Sequence, residues 1–172
     1  MKYLTYELYE KVANSIYLNG KEHEDDENVK RAKTIEAEWN KRYSLYLEEF
    51  YKLSTRFPKN FLREYNKDLM HDSIVYDIKI ERRKRGKQYR YDMTIMLLDY
   101  NNDTIVHAIT FFDISCLNCN LSLGHQGDSY WLYNEFLSVN DSRLSFEVAI
   151  LDGSTLYCEF SKLRYKKIRL DK

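Results

Sequence analysis

Four histidines and three cysteines are the residues of this chain best suited to ligating metals or moving protons, so their spacing is the first thing to weigh. Cys116-Leu117-Asn118-Cys119, followed by His125, has the outline of a zinc knuckle. A knuckle needs two sulfurs converging across a turn and a second ligand pair elsewhere. Here Cys119 is in phase with Leu117, Leu121 and Leu123 while Cys116 falls on the opposite parity, and no second Cys-x-x-Cys follows. On a strand these thiols diverge and act as small hydrophobes, so no metal and no cofactor is implied. His71-Asp72 has the types for a carboxylate-polarised general base in a hydrolase or metal enzyme. Neighbours on a strand point apart, however, and no nucleophile is spaced to join them; a turn capped by Asp72, with His71 bonded to backbone, is the simpler expectation. His107 shares the parity of Ile105 and Ile109 and reads as a core or edge histidine. His23 lies in the acidic run from Glu22 to Glu27, which lacks the alternating ligands and central glycine of a calcium loop.

Arg82-Arg83-Lys84-Arg85-Gly86-Lys87 is a local basic cluster, and Tyr89 and Tyr91 follow it. Cations interleaved with aromatics can hold phosphates and stack bases of single-stranded nucleic acid. A solvated hairpin tip meets the same description. The totals of 27 basic and 27 acidic residues remove any global drive toward nucleic acid or an anionic membrane, which argues against nucleic acid as the partner. No phosphate-binding glycine loop, dinucleotide fingerprint, Gly-x-Ser-x-Gly elbow or His-Glu-x-x-His helix occurs, so catalysis has no motif behind it.

These residues must be positioned by a core, and 172 residues suffice for one domain that buries roughly 70% of its extended-chain surface without a disulfide or metal. Sixteen tyrosines stand out; each ring is apolar but each hydroxyl needs a partner, which suits core margins and recognition surfaces. The N-terminal residues carry no secretory signal, and no run of ~18 apolar residues exists, so the expectation is a cytoplasmic chain with no membrane partner.

Two periodicities divide the chain. Residues 4–18 place Leu8, Val12 and Ile16 at helical spacing, and Asn19-Gly20 supplies a stop. The acidic run complements the start of a longer helix whose stripe is Val29, Ala32, Ile35, Trp39, Tyr43, Tyr46, Phe50, Leu53 and Phe57. Pro58 ends it and opens another, with Phe61, Leu62, Tyr65 and Leu69 on the apolar side. From His71 the period falls to two. Strands are expected over 74–81, 89–97, 104–112, 117–123, 144–150 and 156–160, with turns at Gly86, Asn101–Asp103, Gly124–Gly127 and Asp152-Gly153; residues 130–139 fit strand or helix. The run 104–112 is apolar on both faces and belongs in the middle of a sheet. Short connections favour antiparallel neighbours. The expected fold is α+β: one domain over 1–172, with helices of residues 1–70 packed on a six- or seven-stranded antiparallel meander of residues 71–172.

Met1-Lys2-Tyr3-Leu4-Thr5, Leu69-Met70-His71-Asp72-Ser73, Trp131-Leu132-Tyr133-Asn134-Glu135 and Phe146-Glu147-Val148-Ala149-Ile150-Leu151 together resemble an uncharacterised family of small Firmicute proteins, a domain of unknown function. That family usually shows Leu-His-Asp where this chain has Met70 before His71, and the 82–87 hairpin looks longer than usual. The resemblance implies an α+β architecture and transfers no activity. A looser similarity connects such domains with immunity proteins of bacterial toxin systems, which bind and cover a partner; fold does not dictate function.

The expected role is non-enzymatic binding of a protein partner, with Tyr130, Trp131, Tyr133 and Glu135 as contacts beside His71 and Asp72, because Trp and Tyr anchor interfaces. The alternatives are a nucleic-acid module using Arg82, Arg83, Lys84, Arg85 and Lys87, and an enzyme around His71 and Asp72.

Overall fold

A computed structural model describes residues 1–19, 26–67, 70–120, 130–151 and 153–170. The expected stop at Gly20, the acidic run with His23, Leu69, the turn at 124–127 with His125, and Asp152 lie outside the described residues.

The helical half comprises α1 (Tyr6–Asn19), α2 (Asp26–Lys52) and α3 (Lys59–Tyr65). Along α2 the apolar stripe buries Ala32, Tyr46 and Phe50, as its three-and-four spacing requires. This helix ends at Lys52, earlier than the stripe suggests: Ser54–Arg56 tighten into a 3-10 turn and Phe57 is extended. The residue before a proline is driven out of the helical region, so Phe57 reaches the core from β backbone while Pro58 opens α3.

Eight strands form among the described residues: β1 (Ile74–Arg85), β2 (Gln88–Asp99), β3 (Asn102–Phe112), β4 (Cys116–Asn120), β5 (Trp131–Asn140), β6 (Arg143–Ile150), β7 (Thr155–Phe160) and β8 (Lys162–Arg169). Residues 130–139 are thereby strand. All pairings are antiparallel, but they make two four-stranded sheets, ordered β1-β2-β3-β8 and β4-β7-β6-β5. The single meander expected from the short loops is therefore replaced by two sheets sharing one bent ribbon.

In that ribbon β3 runs on into β4, and its partner β7 runs on into β8. Strand β3 lies inside the first sheet, whereas its continuation β4 is an edge of the second; β7 and β8 exchange roles in the reverse sense. Between Phe112↔Lys162 and Cys116↔Glu159 one strand advances four residues and the other three, so the corner carries a one-residue bulge. Asp113 occupies it with φ 56°, a left-handed conformation that aspartate tolerates better than most side chains. Ser161 closes the opposite side by donating its N–H to the Phe112 carbonyl at 3.0 Å.

Both sheets and the helical layer meet on Phe136. Its ring contacts Phe50, Phe57, Phe61 and Tyr65 from the helical half, Phe111 from the first sheet, and Phe146 and Phe160 from the second. As the apolar run foretold, β3 lies between β2 and β8 with Val106 through Phe111 buried on both faces. No helix among the described residues is long and apolar enough to cross a membrane.

Candidate functional site

The hairpin of β1 and β2 turns at Gly86-Lys87, with Arg85 opposite Gln88 and Gly86 at φ 62°. Directly opposed residues share a face. Ile80 opposes Met93, Arg82 opposes Tyr91, and Lys84 opposes Tyr89. Met93 is fully buried whereas Ile80, Tyr89 and Tyr91 are each about half exposed, so this face leaves the core at Met93 and continues into solvent. The Arg82 guanidinium lies 3.6 Å from the Tyr89 ring centroid, a cation over an aromatic face. The protruding surface is thus a short strip of Ile80, Arg82, Lys84, Tyr89 and Tyr91.

The opposite face of the same hairpin is threaded with acids. Glu81 pairs with Lys79 at 3.1 Å and Arg83 at 3.2 Å, and these two cations hold its carboxyl below the usual range. Arg83 also meets Asp92 through Nε at 2.9 Å. Asp92 accepts the backbone N–H of Asp113 at 3.0 Å, and Asp113 receives Arg90 at 2.9 Å and the Ser161 hydroxyl at 3.0 Å. Arg143 donates to the Asp113 carbonyl at 2.8 Å. Where this chain of ion pairs reaches the corner of the ribbon, the surface sinks into a cavity of about 470 Å³. Arg83, Lys84, Arg90 and Lys162 contribute its cations, Asp92 and Asp113 its acids, and Phe112 part of its apolar wall.

Of the basic cluster, Arg83 and Lys84 therefore reach the cavity, and Arg82 lies across the hairpin from it; the side chain of Arg85 lies outside the described residues. Arg90 was legible in principle, because a two-residue turn at Gly86-Lys87 places it opposite Arg83. Lys162, Ser161 and Asp113 carried no such signal, since the ribbon corner joins residues about fifty apart in sequence.

The expected aromatic contact set is redistributed. Trp131 is 1% exposed and donates from Nε1 to Asn134 at 2.8 Å, so its ring packs within the core of the sheet. Glu135, also 1% exposed, accepts the backbone N–H groups of Lys2 and Tyr3 at 2.7 and 2.8 Å and that of Leu4, which fastens the N-terminal segment to β5. Both faces of β5 are covered: the bulge between Trp131 and Tyr133 puts Trp131 with Phe136 on the core face against Phe146, and Glu135 with Tyr133 on the other, where the N-terminal segment lies over it. Tyr133 is half-buried, with its ring against Trp39, Tyr9 and His71, and Tyr130 forms an isolated bridge with Ile74. Among the exposed aromatics, Tyr89 and Tyr91 share one face of the β1–β2 hairpin, whereas Tyr51, Tyr76 and Tyr100 lie outside that strip.

His71 and Asp72 do meet, at 3.0 Å between Nδ1 and Oδ2, because Asp72 sits at φ 62° in a turn and not on a strand. The Asp72 N–H donates to the Trp131 carbonyl at 2.8 Å. The adjoining cavity is only about 30 Å³, room for a water molecule and not for a substrate. A second imidazole–carboxylate pair is deeper: His107 lies 2.9 Å from Asp99 through Nε2 and 2.5 Å from the Tyr165 hydroxyl through Nδ1. A neutral ring that donates to Asp99 and accepts from Tyr165 satisfies all three groups. Burial alone would raise Asp99, but the donors His107 and Asn101 outweigh it and hold this carboxyl below its ordinary value. All three side chains are buried, so the core histidine expected from sequence carries a relay closed to solvent. Cys116 and Cys119 are exposed on β4, and Cys158 is buried with its thiol pushed up by desolvation. No cluster of three metal-ligating side chains occurs among the described residues.

These features define an α+β protein with two antiparallel sheets, a buried histidine relay and a cationic, aromatic hairpin. No protein-family model, curated protein or solved structure matches the chain.

Proposed function

We propose that the chain acts by binding a protein partner, with the solvent-exposed strip of the β1–β2 hairpin as the recognition surface and an acidic patch on the partner as its complement. The single observation that supports this reading is the half-exposed set Ile80, Tyr89 and Tyr91, flanked by Arg82 and Lys84, on a hairpin that runs past its own core. Tyr and Arg are the residue types that concentrate binding energy at interfaces. Between Lys79 and Arg90 seven basic residues stand against one acid, Glu81, which sets the sign of the partner's surface. Covering a toxin, the mode of immunity proteins, is one form of this role.

The test is a pull-down from the native host with wild-type and Tyr89→Ser/Tyr91→Ser bait, followed by sizing of the purified pair. A stoichiometric protein complex weakened by about tenfold or more in the variant supports the reading. Complexes indifferent to the substitution overturn it.

A second reading has its own observation: Arg82 stacked on Tyr89 is the pairing that receives bases of single-stranded nucleic acid. Salt-dependent retention on a polyanion column, lost in Arg83→Ala/Lys84→Ala/Arg85→Ala, would favour it over a protein partner.

A further inference from the structure

We infer that the cavity at the ribbon corner is a binding site for a phosphate monoester of about mononucleotide size, on the opposite face of the hairpin from Tyr89 and Tyr91 and sharing only Lys84, at the hairpin tip, with the strip assigned to the partner. The lining sets four cations against two carboxylates, an excess of two positive charges that Glu81, shared between Arg83 and Lys79 outside the lining, offsets only in part. A phosphate monoester carries about −1.5 to −2 charge at neutral pH, which matches that excess.

The acids hold the arginines in place. Arg83 is held through Nε by Asp92 and through one terminal nitrogen by Glu81 outside the lining, and Arg90 through one terminal nitrogen by Asp113. Asp113 is itself anchored by the Ser161 hydroxyl, and its carbonyl by Arg143. A guanidinium fixed along one edge presents its remaining N–H groups in a set direction, which suits the planar, multi-donor recognition of phosphate oxygens. Lys84 and Lys162 are exposed and have no carboxylate within 4.0 Å among the described residues, so both remain available as charge donors to a ligand. The volume of about 470 Å³ falls in the range of small-molecule sites. Phe112 adds apolar wall, with the Arg164 guanidinium 5.2 Å and that of Arg83 5.9 Å from its ring centroid. Phosphate oxygens thus face cations while the rest of a nucleotide-sized ligand has an apolar surface to cover.

Three probes are titrated into the intact chain and followed by amide chemical shifts: adenosine 5′-monophosphate, inorganic phosphate and adenosine. The site predicts saturable shifts at Asp113, Ser161 and Lys162 with both phosphate-bearing probes and none with adenosine. Lys162→Gln alters an exposed side chain outside the partner strip and should weaken the nucleotide by at least about tenfold. Lys30→Gln on the distant surface of α2 should leave it unchanged. Adenosine binding as well as its monophosphate, or phosphate acting alike on both variants, overturns the site. So does binding of a single-stranded oligonucleotide with no response to either phosphate probe. Because none of these probes engages Tyr89 or Tyr91, failure here leaves the partner-binding test unaffected, and the reverse also holds.

Discussion

Phe136 is the side chain on which helices and both sheets converge, and it is fully buried. Replacing it with alanine should cost about 3–5 kcal/mol, measured by urea unfolding, because seven aromatic neighbours cannot all collapse into the void. The histidine relay makes a different prediction. The folded pKa of Asp99 is lower than its unfolded value, so its stabilisation is complete above the unfolded value and is lost as pH falls through the folded one. Stability should therefore drop more steeply below about pH 4 in the parent than in Asp99→Asn, as read from denaturant midpoints across pH. His107 was legible as a core position from its parity with Ile105 and Ile109. Its partner Asp99 lay two residues beyond Leu97, which opposes His107, and only the β2–β3 register could bring it to the ring.

Among the elements, the long helix is tied to β5 by a buried polar chain as well as by packing. Trp131 donates to Asn134, Asn134 donates to the Tyr65 hydroxyl at 3.0 Å, Tyr65 and Tyr46 share a hydrogen bond at 2.6 Å, and Tyr46 accepts the Phe136 N–H at 3.1 Å. Burial pushes both tyrosines above their ordinary range, so the neutral hydroxyls persist in the folded chain; this contribution is complete below the unfolded tyrosine value and is lost as alkaline pH rises from there through the folded values. Tyr46→Phe leaves the Phe136 N–H without its acceptor and should cost about 1–3 kcal/mol by thermal or denaturant unfolding. At the ribbon corner Asp113→Asn should cost less than Asp113→Ala. Asparagine keeps the left-handed preference and an acceptor for Ser161, whereas alanine forfeits both. Element types were largely readable from periodicity. Element ends were less so, since Phe57 kept the helical stripe's phase after the helix itself had stopped.

For the whole molecule, the shared core predicts a single unfolding transition. Far-UV circular dichroism and tryptophan emission should coincide, with Trp39 reporting the helical layer and Trp131 the second sheet. Loss of helical signal before the Trp131 change would show instead that the helices detach from an independently stable pair of sheets.

Residue alternation and the change of period near His71 determined, from sequence alone, that helices precede antiparallel strands and that β3 is central, because burial of one face or two is written into neighbouring side chains. What alternation does not encode is which distant strand lies alongside. The pairing of β3 with β8 and of β4 with β7, the bulge at Asp113, and hence the meeting of Arg83, Arg90 and Lys162 around one cavity were decided by tertiary structure. Local chain chemistry sets the faces of each strand, but long-range pairing depends on the joint packing of all the faces, and that sum is settled only when the core closes.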